Sequence, residues 1–157
     1  MAEARAFPPL DELEAEEREL ELATLTEDDA WSIGSLAVTR AREADLPVAI
    51  GVWRAGRQLF HSALPGSTSD NDEWLRRKGR VVMRFEHSSL YVARLCQDKQ
   101  VTLEEKFALP PSQYAAAGGA VPLRVSGAGV VGWFGVSGLP QVEDHRFVVE
   151  VMRAARG

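Results

Sequence analysis

His61–Tyr91 reads HSALPGSTSDNDEWLRRKGRVVMRFEHSSLY, and the fold turns on how this stretch divides. Its first residues finish an apolar, β-rich run. Residues 64–71 (LPGSTSDN) are dense in turn formers and read as a loop, with Ser69 or Asp70 as the natural N-cap of the next helix. From Asp72 to Gln97 the pattern predicts one helix, on the order of 40 Å long at about 1.5 Å per residue. On its wheel Trp74, Val81, Phe85, Ser88 and Val92 gather on an expected core face. Arg76, Arg80, Arg84, His87 and Tyr91 fall on nearly the opposite side as a basic stripe, open to a partner or a sister subunit. Lys78 projects on the apolar side, so it must snorkel, pair with a carboxylate or reach a pocket. Gly79 beside it costs a helix about 1 kcal/mol against Ala and predicts close approach of another element, such as a neighbouring subunit.

Working outward, residues 1–9 read as a flexible tail ended by Pro8-Pro9, and residues 10–157 as one domain. Leu10–Leu25 is expected to be a helix with a thin apolar stripe and a solvated acidic face. Thr26-Glu27-Asp28-Asp29 starts a second helix, capping-box fashion, running to about Asp45 with Trp31 on its widened apolar side. Val48–Trp53 and Gln58–Ala63 form a hairpin around Ala55-Gly56. After the central helix, a strand turn is expected near Val101–Leu103. A short helix starts at Pro110, capped by Gly118-Gly119. Val121–Ser126 and Val130–Ser137 make a second hairpin, where Gly132 and Gly135 suggest a bulge or close backbone contact. Gln141–Ala155 is the last helix, with His145 inside its apolar face. Two hairpins with helices between and after them predict an α+β fold on an antiparallel sheet.

Composition narrows the function classes. The chain has 157 residues, 45% apolar and 26% charged, enough for a proper core. Asp11–Leu22 carries seven acids and one arginine, net −6, so the other 145 residues sum to +1 against the total of −5. A near-neutral body argues against nucleic-acid binding. No apolar run reaches the roughly 20 residues that span a bilayer. The acidic opening lacks an apolar signal core, and the single Cys96 leaves no disulfide framework and no zinc cluster. A cytoplasmic protein without membrane association is expected. Cys96 sits on the apolar side of its helix, as inert core does.

Gly118–His145, GGAVPLRVSGAGVVGWFGVSGLPQVEDH, resembles the C-terminal signature of the haem-degrading-domain superfamily, the GlcG/HbpS-like proteins. The motif LPG-x-x-x-DND-x-W-x-x-RK, from Leu64 to Lys78, resembles a narrower branch of small proteins labelled haem-degrading, and that likeness runs from about Leu10 to Ala154. The resemblance implies a profilin-like fold with a mostly antiparallel sheet of about five strands. It implies symmetric homo-oligomers of high order. It leaves the cofactor open, with haem as the candidate that the label of some members offers, and no axial-ligand signature such as Cys-Pro occurs here.

The motif also supplies the candidate site. Asp70, Asn71 and Asp72 stand at a helix start, with Trp74, Arg77 and Lys78 one to two turns in. Either they form a structural network in which the acids pair with the cations, or loop amides with Arg77 and Lys78 form a small anionic pocket. Gly118 and Gly119 would let a ligand approach. His61 and His87 are the candidate haem ligands, and Arg76, Arg80 or Arg84 could pair with haem propionates. His145, beside Asp144, is weighed as an acid/base group and as a core histidine. No nucleophile elbow, Walker or Rossmann pattern occurs, so no dedicated catalytic machinery is expected. The expected function is binding of a small molecule, haem or another anionic ligand; the alternative is a non-catalytic oligomeric scaffold.

Overall fold

The computed structural model describes residues 7–156. In chain order it contains α1 (Leu10–Glu19), α2 (Glu27–Glu43), β1 (Ala49–Arg54), β2 (Arg57–Ala63), α3 (Ser69–Phe85), α4 (Ser89–Lys99), α5 (Leu103–Phe107), β3 (Ala120–Val125), β4 (Gly129–Ser137) and α6 (Gln141–Arg156). Both hairpins form, and they join through β1 and β4 into one antiparallel sheet of order β2-β1-β4-β3. The sheet has four strands among the described residues, one fewer than the resemblance implies. Where a fifth would lie, Leu22 makes a single bridge beside Val125.

Alternation along the strands decides the layers. Ile50, Val52, Leu123, Phe134 and Val136 point to one face and pack with Ile33, Ala37, Val148 and Met152 of α2 and α6. Ala49, Ala120 and Trp133 point to the other, where Leu75 and Val82 of α3 close over them. Two glycines seat that helix. Gly51 and Gly135 stand opposite each other across β1 and β4. A Cβ on either would come within 3.1 to 3.3 Å of a Leu75 methyl. The close approach expected at Gly79 is also real, but its neighbour is the Trp133 ring of the same chain.

The single long helix expected from the sequence is two. Glu86 takes a left-handed conformation (φ 59°) and closes α3, its N–H reaching Val82 O at 2.8 Å. Ser88 then caps α4, its hydroxyl accepting the Tyr91 N–H at 3.1 Å. The break takes His87 and Tyr91 out of line with the arginine stripe. The N-cap of α3 is Thr68, one residue earlier than expected, and the Asn71 side chain accepts the Thr68 N–H at 2.8 Å. Leu103–Phe107 is a helical turn, boxed by Thr102 and Glu105, and no strand forms there. Residues from Pro110 make a turn and no helix, so Gly118-Gly119 open β3 instead of capping a helix.

Two aromatics depart from the expected core. Trp31 is 64% exposed and touches Phe60 edge-on; Trp74 is 37% exposed. The acidic N-terminal helix is shorter than expected and more than a solvated face. Leu13 is fully buried, Glu17 nearly so, and Arg94 donates to the carbonyls of Phe7 and Pro8. Residues 1–6 of the expected tail lie outside the described residues.

Candidate functional site

Lys78 is the residue around which a site forms. Its place on the sheet-facing side of α3 leaves it 3% exposed. A buried ammonium requires partners, and Asp144, in the first turn of α6, supplies one. Lys78 Nζ donates to Asp144 Oδ2 at 3.0 Å and to Val136 O at 3.3 Å. Asp144 Oδ1 accepts the Leu139 N–H at 3.0 Å. The glycine before β3 is required here: Gly119 has φ +136°, and a Cβ on it would lie 2.7 Å from Lys78 Nζ.

Burial acts on both charges. It pushes the Asp144 carboxyl up to about 6, against the pull of the Lys78 ammonium. It likewise holds Lys78 below its ordinary value, against Asp144. Burial thus favours the neutral form of each partner, and their mutual attraction opposes it.

The ion pair is the floor of a cleft of about 330 Å³. Asn71 and Trp74 of α3 form one wall; Ser137, Leu139 and Gln141 form the other. Gln141 Oε1 also accepts the Gly118 N–H at 2.9 Å, which fixes the turn before β3. Lys78 has three N–H donors and two acceptors, so one donor is left for a guest. A polar group in the cleft can thus meet an N–H and a carboxyl together.

The sequence-predicted residues divide. Asn71, Trp74 and Lys78 line the cleft, and Gly118 and Gly119 shape its edge. Arg77 lies outside, its guanidinium 4.2 Å from the Trp74 ring centre. The expected pairing of the loop acids with Arg77 and Lys78 does not form. Asp72 turns to His61 (2.7 Å), and Asp70 is exposed. Ser137, Gln141 and Asp144 were missed as site residues. Only the position of Asp144 at a helix start signalled it, since its partner lies 66 residues away.

Each of the three imidazoles meets a carboxylate. His61 is held by Asp72, His87 by Glu17 at 2.9 Å, and His145 by Glu16 at 2.8 Å. His87 also stacks on Tyr91, 3.9 Å between ring centres. His145 is 1% exposed, so it is a core histidine that anchors α1. In His61 and His87 the carboxylate engages one ring nitrogen each, Nε2 of His61 and Nδ1 of His87, so it orients the ring without occupying the other nitrogen.

The model of the haem-degrading HbpS-like proteins matches residues 25–153. The chain belongs to the HbpS-like family. It is 53% identical over 152 residues to a UPF0303 protein of Streptomyces coelicolor, a match covering 97% of this chain and 96% of that one. Among solved structures it is similar to the Ybr137w protein, at 35% identity and a TM-score of 0.87, over 98% of this chain and 90% of that one. A structure described as a PduOC:haem complex superimposes with a TM-score of 0.70 at 20% identity, over 84% of this chain and 94% of that one. At that identity the likeness concerns the fold. Among the described residues, no helix is long and apolar enough to cross a membrane.

Proposed function

We propose that this chain binds a small anionic molecule, of the carboxylate class, in the cleft above Lys78 and Asp144. The carrying observation is a buried ion pair left at the floor of an open cleft, with one ammonium donor uncommitted. Most buried pairs are sealed by apolar packing; this one is reached from solvent between Trp74 and Gln141. The cleft volume lies at the lower end of the roughly 300–1,000 Å³ of ligand pockets, which suits a compact acid. The Lys78 N–H would hold one carboxylate oxygen, and Asp144, protonated near pH 6, would donate to another. The same pair could pass a proton to the ligand. The haem of the PduOC structure supports a ligand-binding role for this fold.

The test is calorimetric titration with succinate and citrate, with succinamide as the neutral control. Saturable binding of an acid that Trp74→Ala weakens and Lys78→Met abolishes is expected. Absence of saturable binding, or binding retained in Lys78→Met, overturns the reading. Because Lys78→Met strands a buried carboxylate, Trp74→Ala at a partly exposed wall is the variant that keeps the test independent of folding.

The reading includes assembly as a homo-oligomer. The exposed Trp31, with Phe60 beneath it, supports it as an apolar contact area. Light scattering at several concentrations should return one discrete assembly; a monomer would count against it.

A further inference from the structure

The sequence holds three lysines, and Lys78 differs from the other two in its setting. Lys99 and Lys106 are exposed, whereas Lys78 is buried at the floor of a cleft that a guest can enter. Burial favours its uncharged amine, and it favours the uncharged carboxyl of Asp144, 3.0 Å away. A proton passed from Nζ to Asp144 leaves a lone pair on the nitrogen and an acid beside it, the two groups that attack on a carbonyl needs. The cleft walls add a place for a charge. Asn71 Oδ1 accepts the Thr68 N–H at 2.8 Å, and Gln141 Oε1 accepts the Gly118 N–H at 2.9 Å. Each amide has its oxygen taken by backbone, so its NH2 group is left to donate, and both residues line the cleft.

We propose that Lys78 forms an imine with a 2-oxo acid in this cleft, with Asp144 as acid and base and the Asn71 and Gln141 amides on the carboxylate. This substrate class rests on the carboxylate-binding reading of the cleft and sharpens it. A 2-oxo acid carries its carbonyl carbon one bond from the carboxylate, so holding the carboxylate above the pair sets that carbon beside Nζ. The Nζ lone pair attacks the carbonyl carbon, and the carbonyl oxygen takes the proton from Asp144. The nitrogen then gives one of its protons to Asp144. Asp144 protonates the new hydroxyl, water leaves, and the nitrogen lone pair closes the C=N bond. The product is a cationic imine facing the Asp144 carboxylate, which restores the charges of the original pair. One water is released, and nothing is oxidised or reduced. An acid without a carbonyl, such as succinate, would fill the cleft and go no further.

The test is cyanoborohydride trapping on the full chain, with pyruvate as the probe and propanal as the uncharged carbonyl, read by peptide mass spectrometry. Hydride reduces the C=N bond and fixes the adduct on its lysine. The pyruvate adduct is expected on the Lys78 peptide at least tenfold faster than on the peptides of Lys99 and Lys106. It should also outpace the propanal adduct at Lys78 at least tenfold, and excess succinate should suppress it. The parent chain alone supplies these comparisons, so none depends on a variant that folds. Asp144→Asn keeps a hydrogen-bonding side chain and loses the acid, so it should slow trapping at Lys78 and leave Lys99 and Lys106 at their parent rates. No adduct at Lys78, or one that forms no faster than at the exposed lysines, overturns the imine. If calorimetry still shows saturable pyruvate binding in that case, the carboxylate reading stands without it. Propanal trapped at Lys78 as fast as pyruvate supports the amine chemistry and overturns the 2-oxo-acid assignment together with the carboxylate reading.

Discussion

At the scale of single residues, Lys78 and Asp144 form, among the described residues, the one ion pair with both side chains buried. Removing one partner of a buried pair leaves the other charge uncompensated, which costs about 3–5 kcal/mol. Lys78→Met should therefore lower the denaturation midpoint by a corresponding amount, measured in urea. It should also raise the Asp144 titration above its value of about 6, because the ammonium that restrains it is gone. Carboxyl NMR reads that shift directly. The raised value also sets the sign for stability. Asp144 holds its proton more tightly folded than unfolded, where its ordinary value is 3.8. Its contribution is therefore fully present below about pH 4 and is lost as the pH rises through about 6. A stability profile that instead improved across that window on account of Asp144 would reverse the assignment. Gly79→Ala is a second residue-scale case. Helix propensity would gain about 1 kcal/mol, but the new methyl falls inside the Trp133 ring. Overpacking of this kind costs about 1–3 kcal/mol or more, so net destabilisation is expected in the same urea assay. The helical wheel placed Lys78 on the sheet side and Gly79 at a close contact. It could not name their partners, because Asp144 and Trp133 reach them only through the strand order.

At the scale of elements, the break between α3 and α4 shows where periodicity misleads. The apolar spacing runs on through Ser88 and Val92, so the wheel continues it as one helix. The local chemistry decides otherwise. Ser88 is a good N-cap, and its N–H is taken by Glu17 Oε2 at 2.8 Å, a contact from α1 that no window around the helix contains. Ser88→Ala should cost about 1 kcal/mol through loss of the cap. Glu17→Ala should cost more, since it orphans a buried N–H and the His87 contact together. Amide exchange at the start of α4 should quicken in both variants, and near α1 in Glu17→Ala only. If exchange in α1 is unchanged in Glu17→Ala, the carboxylate does not clamp that helix. The acids of α1 read as a solvated face in the sequence because the groups they meet are more than sixty residues away. Glu16 meets His145, Glu17 meets His87, and Glu19 meets Arg153.

At the scale of the whole molecule, the fold class was legible because it rests on local signals: two Gly-turned hairpins, and helices bounded by Thr, Pro and Ser. The strand count was not, because it depends on what protects the outer edges of the sheet. β2 guards one edge with exposed polar positions at Arg57, Gln58 and His61. β3 is guarded by the segment joining α1 to α2, which the sequence pattern continues as helix to Leu25. Leu22 donates to Arg124 O at 2.8 Å, and Ser126 donates to Leu22 O at 2.9 Å. An uncovered strand edge is a template for pairing with another chain. Two changes should expose it to different extents. Leu22→Pro deletes one donor and leaves Arg124 O open, while α1 stays anchored through His145 and His87. Removal of residues 1–22 strips the cover and also uncovers the apolar seat of Leu13 beside Leu90 and Val142. Light scattering during slow heating should show association setting in earlier for Leu22→Pro than for the parent, and earliest for the truncation. A charged residue at Leu22 should behave differently from proline, because it keeps the N–H and adds repulsion at the edge. If Leu22→Lys associates as readily as Leu22→Pro, the edge is not the surface through which copies meet.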